Sequence, residues 1–589
     1  MCGIAGIMTT DGAAPSPTAL EAMQRALAHR GPDGNGHYRA NDVAMVQTRL
    51  AIIDLSTGNQ PLFEPGGAAL VANAEIYNYV ELRAQLAGIV FATGSDCEPP
   101  LHLYRQHGLD FTEHLRGMYA IAVHDPAVGR LVLARDPFGI KPLYYIETPT
   151  RFAFASEPHA LVAAGLVPAQ LVRQVRNELL QLQFTTGRET IFAGIHRVLP
   201  GETIVVARGR IVERRRREAL PLAASEPRGE MEAIAQFDRV FAGAVLIHQR
   251  SDVPYGMFLS GGVDSSAVLA MMARLNERPV KAFTAGFSTG NVHDEREHAR
   301  AVARALGAEH IEVEFREADF WRLLPDIAQA MDDPAADYAL LPTFKLAATA
   351  RSAGLKVILS GEGGDELFAG YGRYRSVARP WWLGGRLLRT RGNFDKLGIL
   401  RGDLAGWRDG IAAAELHAAA SGRTRLQIAQ ATDGADWLPN DLLSKLDRCL
   451  MAHGVEGRVP FLDPAVADFA FRLPDELKVR RGLGKWLLRR WLAEHVAVVD
   501  PFAKKRGFTV PVSDWIHRRG VQLGPLVARQ AGIREICLPN TVEALFRDAH
   551  RRRAGFAAWT LLFYALWHLQ HIERRPAGPD VFATLGASG

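Results

Sequence analysis

Cys2 stands directly behind the initiator methionine. A residue this small lets the methionine be trimmed, which leaves one residue carrying both a thiol and a free α-amine. The amine titrates near about 7.7–8.0 and the thiol near about 8.5, so the amine can take the proton from its own nucleophile. Alone, a second-position cysteine is a residue of no consequence. Its companions are His29-Arg-Gly-Pro-Asp33-Gly, Arg49-Leu-Ala-Ile-Ile-Asp54, Asn73-Ala-Glu-Ile-Tyr-Asn78, Gly94-Ser-Asp96-Cys-Glu98 and Arg135-Asp-Pro-Phe-Gly-Ile-Lys-Pro-Leu-Tyr144. A second constellation, Phe258-Leu-Ser260-Gly261-Gly262-Val-Asp264-Ser265-Ser266, suits phosphate. Small residues let the backbone wrap an anion, hydroxyls add donors, and a helix N-terminus favours negative charge. The bland reading is a tight strand–helix turn. Asp264 argues instead for a metal ion on the same phosphates, and the absence of GxxxxGK[ST] excludes a P-loop.

The elements that must position these residues fall into two patterns. The first 210 residues or so alternate short apolar runs with Gly/Pro/Asp-rich turns, around Ala44–Ile53, Ala69–Asn73, Tyr119–His124, Leu131–Ala134 and Phe152–Ala155. This predicts an α+β domain with packed antiparallel sheets. Thr18-Ala-Leu-Glu21 reads as a capping box ahead of Leu20, Met23 and Leu27 at helical spacing. The arginine- and proline-rich stretch from Arg214 to Glu230 reads as the linker. Beyond it, strands at Val253–Leu259, Val280–Phe287 and Leu355–Leu359 alternate with helices at Ser265–Leu275 and Asp294–Leu306, the pattern of a parallel sheet covered by helices. The remainder reads as mainly helical.

Composition narrows the function classes. With 589 residues, 48% hydrophobic and 23% charged, the chain is globular and long enough for two to four domains. A net charge of +5 is too mild for a nucleic-acid tail, although Arg214–Arg217 forms a local patch. Four cysteines without a CxxC pair make no disulfide framework, so a reducing, cytoplasmic setting is the default. The opening stretch turns polar by Thr9, so no signal peptide is expected. The apolar run from Ala554 to Leu569 falls short of the roughly 20 residues a spanning helix needs and predicts a buried core helix. No membrane and no nucleic-acid partner is expected.

The first constellation resembles the glutaminase domain of class II glutamine amidotransferases, which are N-terminal-nucleophile (Ntn) hydrolases, with its elements in order over about 200 residues. The resemblance implies that Cys2 attacks the glutamine amide to form a thioester. It implies that Arg49 pairs with the substrate α-carboxylate, that Asp96 holds the α-ammonium, and that Glu75 lines the pocket. Asn73 and the backbone N–H of Ala74 would form an oxyanion hole, a device worth about 3–4 kcal/mol in comparable acyl transfers. The family pattern carries glycine where Ala74 stands. Should that site need positive φ, alanine costs roughly 1–2 kcal/mol, and the expectation is a weakened glutaminase. Pro99-Pro100 is tolerable only at the start of a helix.

The second constellation resembles the pyrophosphate loop of N-type ATP pyrophosphatases. Ala282-Phe-Thr-Ala285-Gly-Phe287, Ser360-Gly-Glu362-Gly-Gly-Asp365-Glu-Leu-Phe-Ala-Gly-Tyr371, Gly454-Val-Glu-Gly-Arg458-Val-Pro-Phe-Leu-Asp463 and Gly484-Lys485 continue the match. Together the two sets resemble glutamine-hydrolysing asparagine synthetases over nearly the full length. That resemblance implies an αββα Ntn sandwich over residues 2–212, then a parallel-sheet α/β ATP pyrophosphatase domain with a helical C-terminal part over residues 230–575. ATP and Mg2+ are the implied cofactors. Leu259, Ser260, Gly261, Gly262, Asp264, Ser265, Ser266, Ala285, Ser360 and Gly361 would bind ATP, with Asp264 and Asp365 holding Mg2+. Glu362 would support intermediate formation or deprotonate ammonia, and Lys485 would stabilise charge on the α-phosphate.

Glutaminase chemistry releases ammonia, and an ATP-splitting domain can activate a carboxylate as an acyl-adenylate. The implied reaction is acid + glutamine + ATP to amide + glutamate + AMP + pyrophosphate, through a water-excluding channel from Cys2 to Glu362. Glutamine and aspartate, or another carboxylate, are the implied substrates, and a homodimer is the implied assembly. Other acids remain open: sugar acids, peptides and natural-product precursors. The stretch Lys504-Lys505-Arg506-Gly507-Phe508 resembles a longer bacterial branch, and the Trp- and Arg-rich segment from Arg379 to Trp437 has no counterpart in the pattern. An RNA-modifying ATP pyrophosphatase would leave the glutaminase residues unexplained. A non-catalytic relative would not keep Cys2, Arg49, Asn73, Asp96, Asp264, Glu362, Asp365 and Lys485 together.

Overall fold

The computed structural model describes residues 2–287, 295–379, 382, 384–419, 422–498, 500–503 and 510–587. The beginning of the helix expected at 294–306 and the stretch 504–509, with Lys504 to Phe508, lie outside them; the helix is described over Arg296–Ala305.

Twelve strands build the first half: β1 Gly3–Thr9, β2 Gly34–Ala40, β3 Val43–Arg49, β4 Leu62–Phe63, β5 Ala69–Ile76, β6 Gly117–Asp125, β7 Arg130–Arg135, β8 Tyr144–Thr148, β9 Arg151–Ala155, β10 His196–Arg197, β11 Glu202–Ala207 and β12 Arg210–Arg216. They form two six-stranded sheets, β10-β8-β9-β1-β3-β2 and β12-β11-β7-β6-β5-β4, with antiparallel pairing. Strand alternation sorts the side chains into layers. Ile4 and Met8 of β1, Val43 and Met45 of β3, and Val71 of β5 pack together between the sheets. Ala5, Ile7, Ala44 and Val46 face Leu20 and Met23 of the helix Pro17–Ala26 and Leu27, which caps its C-terminus. Leu70 and Ala72 face Leu82 and Leu101 of the helices Tyr79–Gln85 and Glu98–His107. The result is the expected αββα sandwich.

In the second half, β13 Tyr255–Phe258, β14 Lys281–Phe287, β15 Glu309–Phe315, β16 Val357–Leu359 and β17 Glu456–Arg458 make one parallel sheet in the order β15-β14-β13-β16-β17. The chain winds outward through β14 and β15 and then returns to the other side of β13. The gap between the ends of β13 and β16 is therefore the topological switch point, where open α/β sheets form their ligand crevice. Helices cover the sheet and fill the C-terminal part. The run expected as a core helix is Arg552–His571, buried along nearly all its length, with Trp559 Nε1 donating to Ala336 O at 2.6 Å. Among the described residues no helix is long and apolar enough to cross a membrane.

Three local expectations are corrected. The first helix is capped by Ser16, whose hydroxyl accepts from Ala19 N–H, with Pro17 at its first position; Thr18 lies inside it. Arg214, Arg215 and Arg216 are not linker, because β12 runs through them opposite Ile204, Thr203 and Glu202. Their charges are met locally, Arg214 by Glu202 at 3.1 Å and Arg215 by Asp110 at 2.9 Å. Ala74 lies inside β5, paired with Tyr119, in ordinary extended backbone, so no left-handed strain arises there. Pro99 and Pro100 sit in the first turn of the helix Glu98–His107, as required.

The halves are joined by buried charge as well as apolar packing. The Arg197 guanidinium holds Asp333 through Nε at 2.8 Å and a second nitrogen at 2.6 Å, and Tyr144 donates to the same carboxylate at 2.9 Å. Two outcomes follow. Asp333→Ala leaves Arg197 charged and sealed, and should cost about 3–5 kcal/mol in denaturant unfolding; a loss below 1 kcal/mol would contradict this pairing. Ala74→Gly relieves no strain and weakens a strand by roughly 0.5–1 kcal/mol. It should lower the melting temperature and leave glutamine hydrolysis no faster.

Candidate active site

Strand parity brings the first set of residues to one place. Cys2, one step before β1, shares the parity of Ile4 and Met8. Gln47 and Arg49 share that of Val43 and Met45, and Asn73 and Glu75 share that of Ala69 and Val71. All therefore face the inter-sheet space, at the end where β1 begins. The Cys2 N–H donates to Asn73 Oδ1 at 3.1 Å, and Cys2 is buried. Burial pushes the Cys2 thiol up, opposed by a backbone hydrogen bond at Leu50 and by Arg49. Arg49 is aimed by its loop: it donates to Asn59 Oδ1 at 2.7 Å and Asp54 O at 2.5 Å.

Among the described residues several donors facing this space have no partner, Gln47 Nε2 among them, and two of them stand beside Cys2. Asn73 Nδ2 is fully buried and unbonded. The free edge of β5 carries the N–H groups of residues 72, 74 and 76 by alternation. Ala72 N–H is met by Gln60 Oε1 at 2.6 Å and Ile76 N–H by Asp96 Oδ2 at 2.7 Å. Between them Ala74 N–H finds no acceptor among the described residues. Buried donors are almost always satisfied, so this orphaned pair marks a place for an external oxygen. Asp96 closes the same pocket, and burial pushes its carboxyl up to about 6.

The second set gathers at the switch point. The loop after β13 folds on itself: Ser260 N–H donates to Ser265 Oγ at 3.2 Å, and Gly262 N–H to Ser260 Oγ at 3.2 Å. Gly261 has φ +71°, a conformation glycine adopts without strain, and Gly262 caps the helix Val263–Leu275. Ser266 Oγ is buried without a partner. The loop after β16 packs against it so closely that a Cβ on Gly364 would fall 2.6 Å from the Asp264 carboxylate. Leu259 and Ala285 are buried at the ends of β13 and β14, with Thr284 Oγ1 donating to Leu259 O at 2.6 Å.

Asp264 and Asp365 converge on one cation, the Lys485 ammonium, which lies 2.6 Å from Asp365 and in direct contact with Asp264. Burial works against that charge, but the two carboxylates more than offset it and hold Lys485 above the usual range. Lys485 itself has φ +59°, a strained conformation for a non-glycine residue that the surrounding packing enforces. Glu362 is not brought to Lys485. Its carboxylate contacts Ser360 Oγ, and with Asp337 and Asp441 it helps to hold up the charge of the buried Lys445, which is paired with Asp337 at 2.6 Å.

The residues that connect the two sites carried no role in the sequence reading. Arg458 is fully buried on β17. Its guanidinium reaches Glu75 at 3.0 Å and Glu456 at 2.6 Å, while its backbone carbonyl accepts from Ser360 N–H at 2.8 Å. Burial and the neighbouring Glu456 push Glu75 well up, against the pull of Arg458. Arg30 donates to Cys2 O at 3.2 Å, to Glu157 at 2.7 Å and to both oxygens of Asp447, at 2.8 and 3.1 Å. Arg30, Glu456 and Arg458 stand inside the quoted motifs, so the signal was present in their positions but not in their partners.

Comparison with known proteins places this geometry. Residues 1–216 match the glutamine amidotransferase domain family, and residues 236–570 match the asparagine synthase family. A putative glutamine-hydrolysing asparagine synthetase of Mycobacterium tuberculosis is 33% identical over 641 residues, covering 97% of this chain and 98% of that protein. Glutamine-hydrolysing asparagine synthetase 1 of Bacillus subtilis is 30% identical over 628 residues, covering 98% of each. A Gibberella zeae protein named amidase chry2 is 33% identical over 413 residues, covering 64% of this chain and 61% of that one. With an αββα sandwich that buries Cys2 joined to a parallel α/β sheet, and with relatives matched over nearly their whole length, the chain belongs to the glutamine-hydrolysing asparagine synthetase family of amidotransferase ligases.

Proposed function

We propose that the chain makes asparagine: aspartate + glutamine + ATP to asparagine + glutamate + AMP + pyrophosphate. The observation that carries the first half-reaction is the pair of orphaned donors, Asn73 Nδ2 and Ala74 N–H, beside Cys2. Once the methionine is removed, the Cys2 amine accepts the thiol proton and the sulfur attacks the amide carbon. The two donors meet the oxyanion, the amine passes its proton to the departing ammonia as the thioester forms, and water then hydrolyses the thioester to release glutamate and restore the thiol. Arg49 binds the glutamine α-carboxylate, Asp96 the α-ammonium, and Glu75 lines the pocket beside Arg458.

In the second half-reaction the Ser260–Ser266 loop and the N-terminus of the helix Val263–Leu275 cradle the phosphates. Leu259, Ala285, Ser360 and Gly361 flank the nucleotide. The hard oxygens of Asp264 and Asp365, already close enough to share one cation, fit Mg2+. That ion would neutralise phosphate charge when bound. Lys485 then turns its ammonium to the α-phosphate as the aspartate side-chain carboxylate displaces pyrophosphate. Glu362 takes a proton from the ammonia that opens the acyl-adenylate. Ammonia mostly protonates in bulk water, so the direct link from Glu75 through Arg458 to Ser360 supports an enclosed passage along it. We place the two domains at residues 2–212 and 230–575.

A second reading, the same mechanism on another carboxylate, is favoured by the similarity to the amidase of Gibberella zeae and by the segment from Arg379 to Trp437. The test uses purified full-length chain with MgATP and glutamine, with and without aspartate. Aspartate-dependent pyrophosphate release matched by asparagine is expected. Cys2→Ala should abolish the glutamine-dependent reaction and retain the ammonia-dependent one. Glutamate release without an aspartate response would overturn the acceptor and keep the ligase mechanism.

A further inference from the structure

The segment from Arg379 to Trp437 encloses a cavity of about 450 Å3 that no step above uses. Its walls are the helix Gly372–Ala378, the helix Arg425–Thr432 and the stretch 385–388 between them. The floor is apolar: Leu388 and Ala429 are buried in one cluster with Tyr374, and Val377 and Ile428 complete it. The rim is basic. Arg379, Arg386 and Arg425 line the cavity, and among the described residues none of the three has a carboxylate partner. The acid on the wall, Glu415, is already taken by Arg408 at 2.7 Å and by the Leu388 N–H at 3.3 Å. One large apolar side chain of the lining stands open, Leu387 at 66% exposure.

An apolar chamber of this size falls within the roughly 300–1,000 Å3 range of pockets that enclose a small organic ligand. Guanidiniums that have no carboxylate partner among the described residues, set above an apolar floor, are complementary to an anion attached to an apolar body. We propose that this cavity binds an amphipathic organic anion, with its carboxylate or phosphate on the arginine rim and its apolar body on Leu388 and Ala429. The wall helix Gly372–Ala378 begins one residue after Tyr371, and Tyr371 ends the turn that carries Asp365 and bonds Glu366 at 2.8 Å. The occupant therefore leans on the backbone that leads into the phosphate site. It enters either as the body of an acceptor acid or as an effector.

Dansyl-aspartate, an apolar naphthalene carrying two carboxylates, probes this site by its fluorescence with the full-length chain. Binding is measured without ATP or glutamine, so the result is independent of the reaction proposed above. Saturable binding at one site per chain is expected, weakened about tenfold or more by the double variant Arg386→Glu/Arg425→Glu. Blocking the chamber with Ile428→Trp should abolish it. Glutamine hydrolysis by each variant, at the wild-type rate, verifies the fold. With MgATP and glutamine added, pyrophosphate release that consumes the probe identifies an acceptor subsite. A changed aspartate-dependent rate with the probe intact identifies an effector site. Absence of saturation, or equal binding by wild type and both variants, overturns the proposal.

Discussion

A guanidinium sealed from water must find a full set of partners, and Arg30 finds them only by drawing on both halves of the chain. It is 0% exposed, and its donors are divided among the Cys2 carbonyl, Glu157 and Asp447, the last of these 417 residues away. Leaving such a charge unmet costs several kcal/mol, so the position of the nucleophile and the seating of the two domains are set by one condition. Arg448 extends the same network to Glu157 at 3.0 Å and Asp332 at 2.9 Å, and Arg458 repeats the arrangement at Glu75. The interface is built as a core is built, from groups that cannot be satisfied singly.

Around that constraint the two architectures do the coarse placement. A sandwich of two sheets leaves a rim where strands end, and side chains of inner parity converge there without further instruction. Arg49 comes from β3, Asn73 and Glu75 from β5, and all three reach the Cys2 end by parity alone. The parallel sheet places its loops at the switch point in the same impersonal way. Finer geometry comes from glycines, where Gly361 and Gly364 let the two phosphate loops touch, and from Lys485, held between two aspartates in a backbone conformation it would not choose.

The parts legible in the sequence are those in which chemistry and local geometry coincide. The serine–glycine loop announces its strand–helix setting within nine residues, and the Cys2 motifs keep their order along the chain. Partnerships across long separations were not legible. Arg30 and Asp447, or Glu75 and Arg458, are recognisable as charged residues, but nothing local says that one will be buried on the other. The same limit explains the smaller corrections. Arg214 to Arg216 look like linker until β11 is set beside them, and Ala74 looks strained until β5 is extended through it. Ser16 is displaced by Thr18 in a reading that gives no weight to Pro17 at the first helical position.

The central claim is that the glutamine site is completed by the other domain. Asp447→Asn tests it most directly, because it keeps the side chain's shape, removes the charge opposite Arg30, and touches no residue of either pocket. Glutamate release from glutamine should fall about tenfold or more, the scale of one charge-assisted hydrogen bond of roughly 1.5–3 kcal/mol. Ammonia-dependent pyrophosphate release should stay near its wild-type rate. Wild-type glutaminase activity in the folded variant would contradict the account.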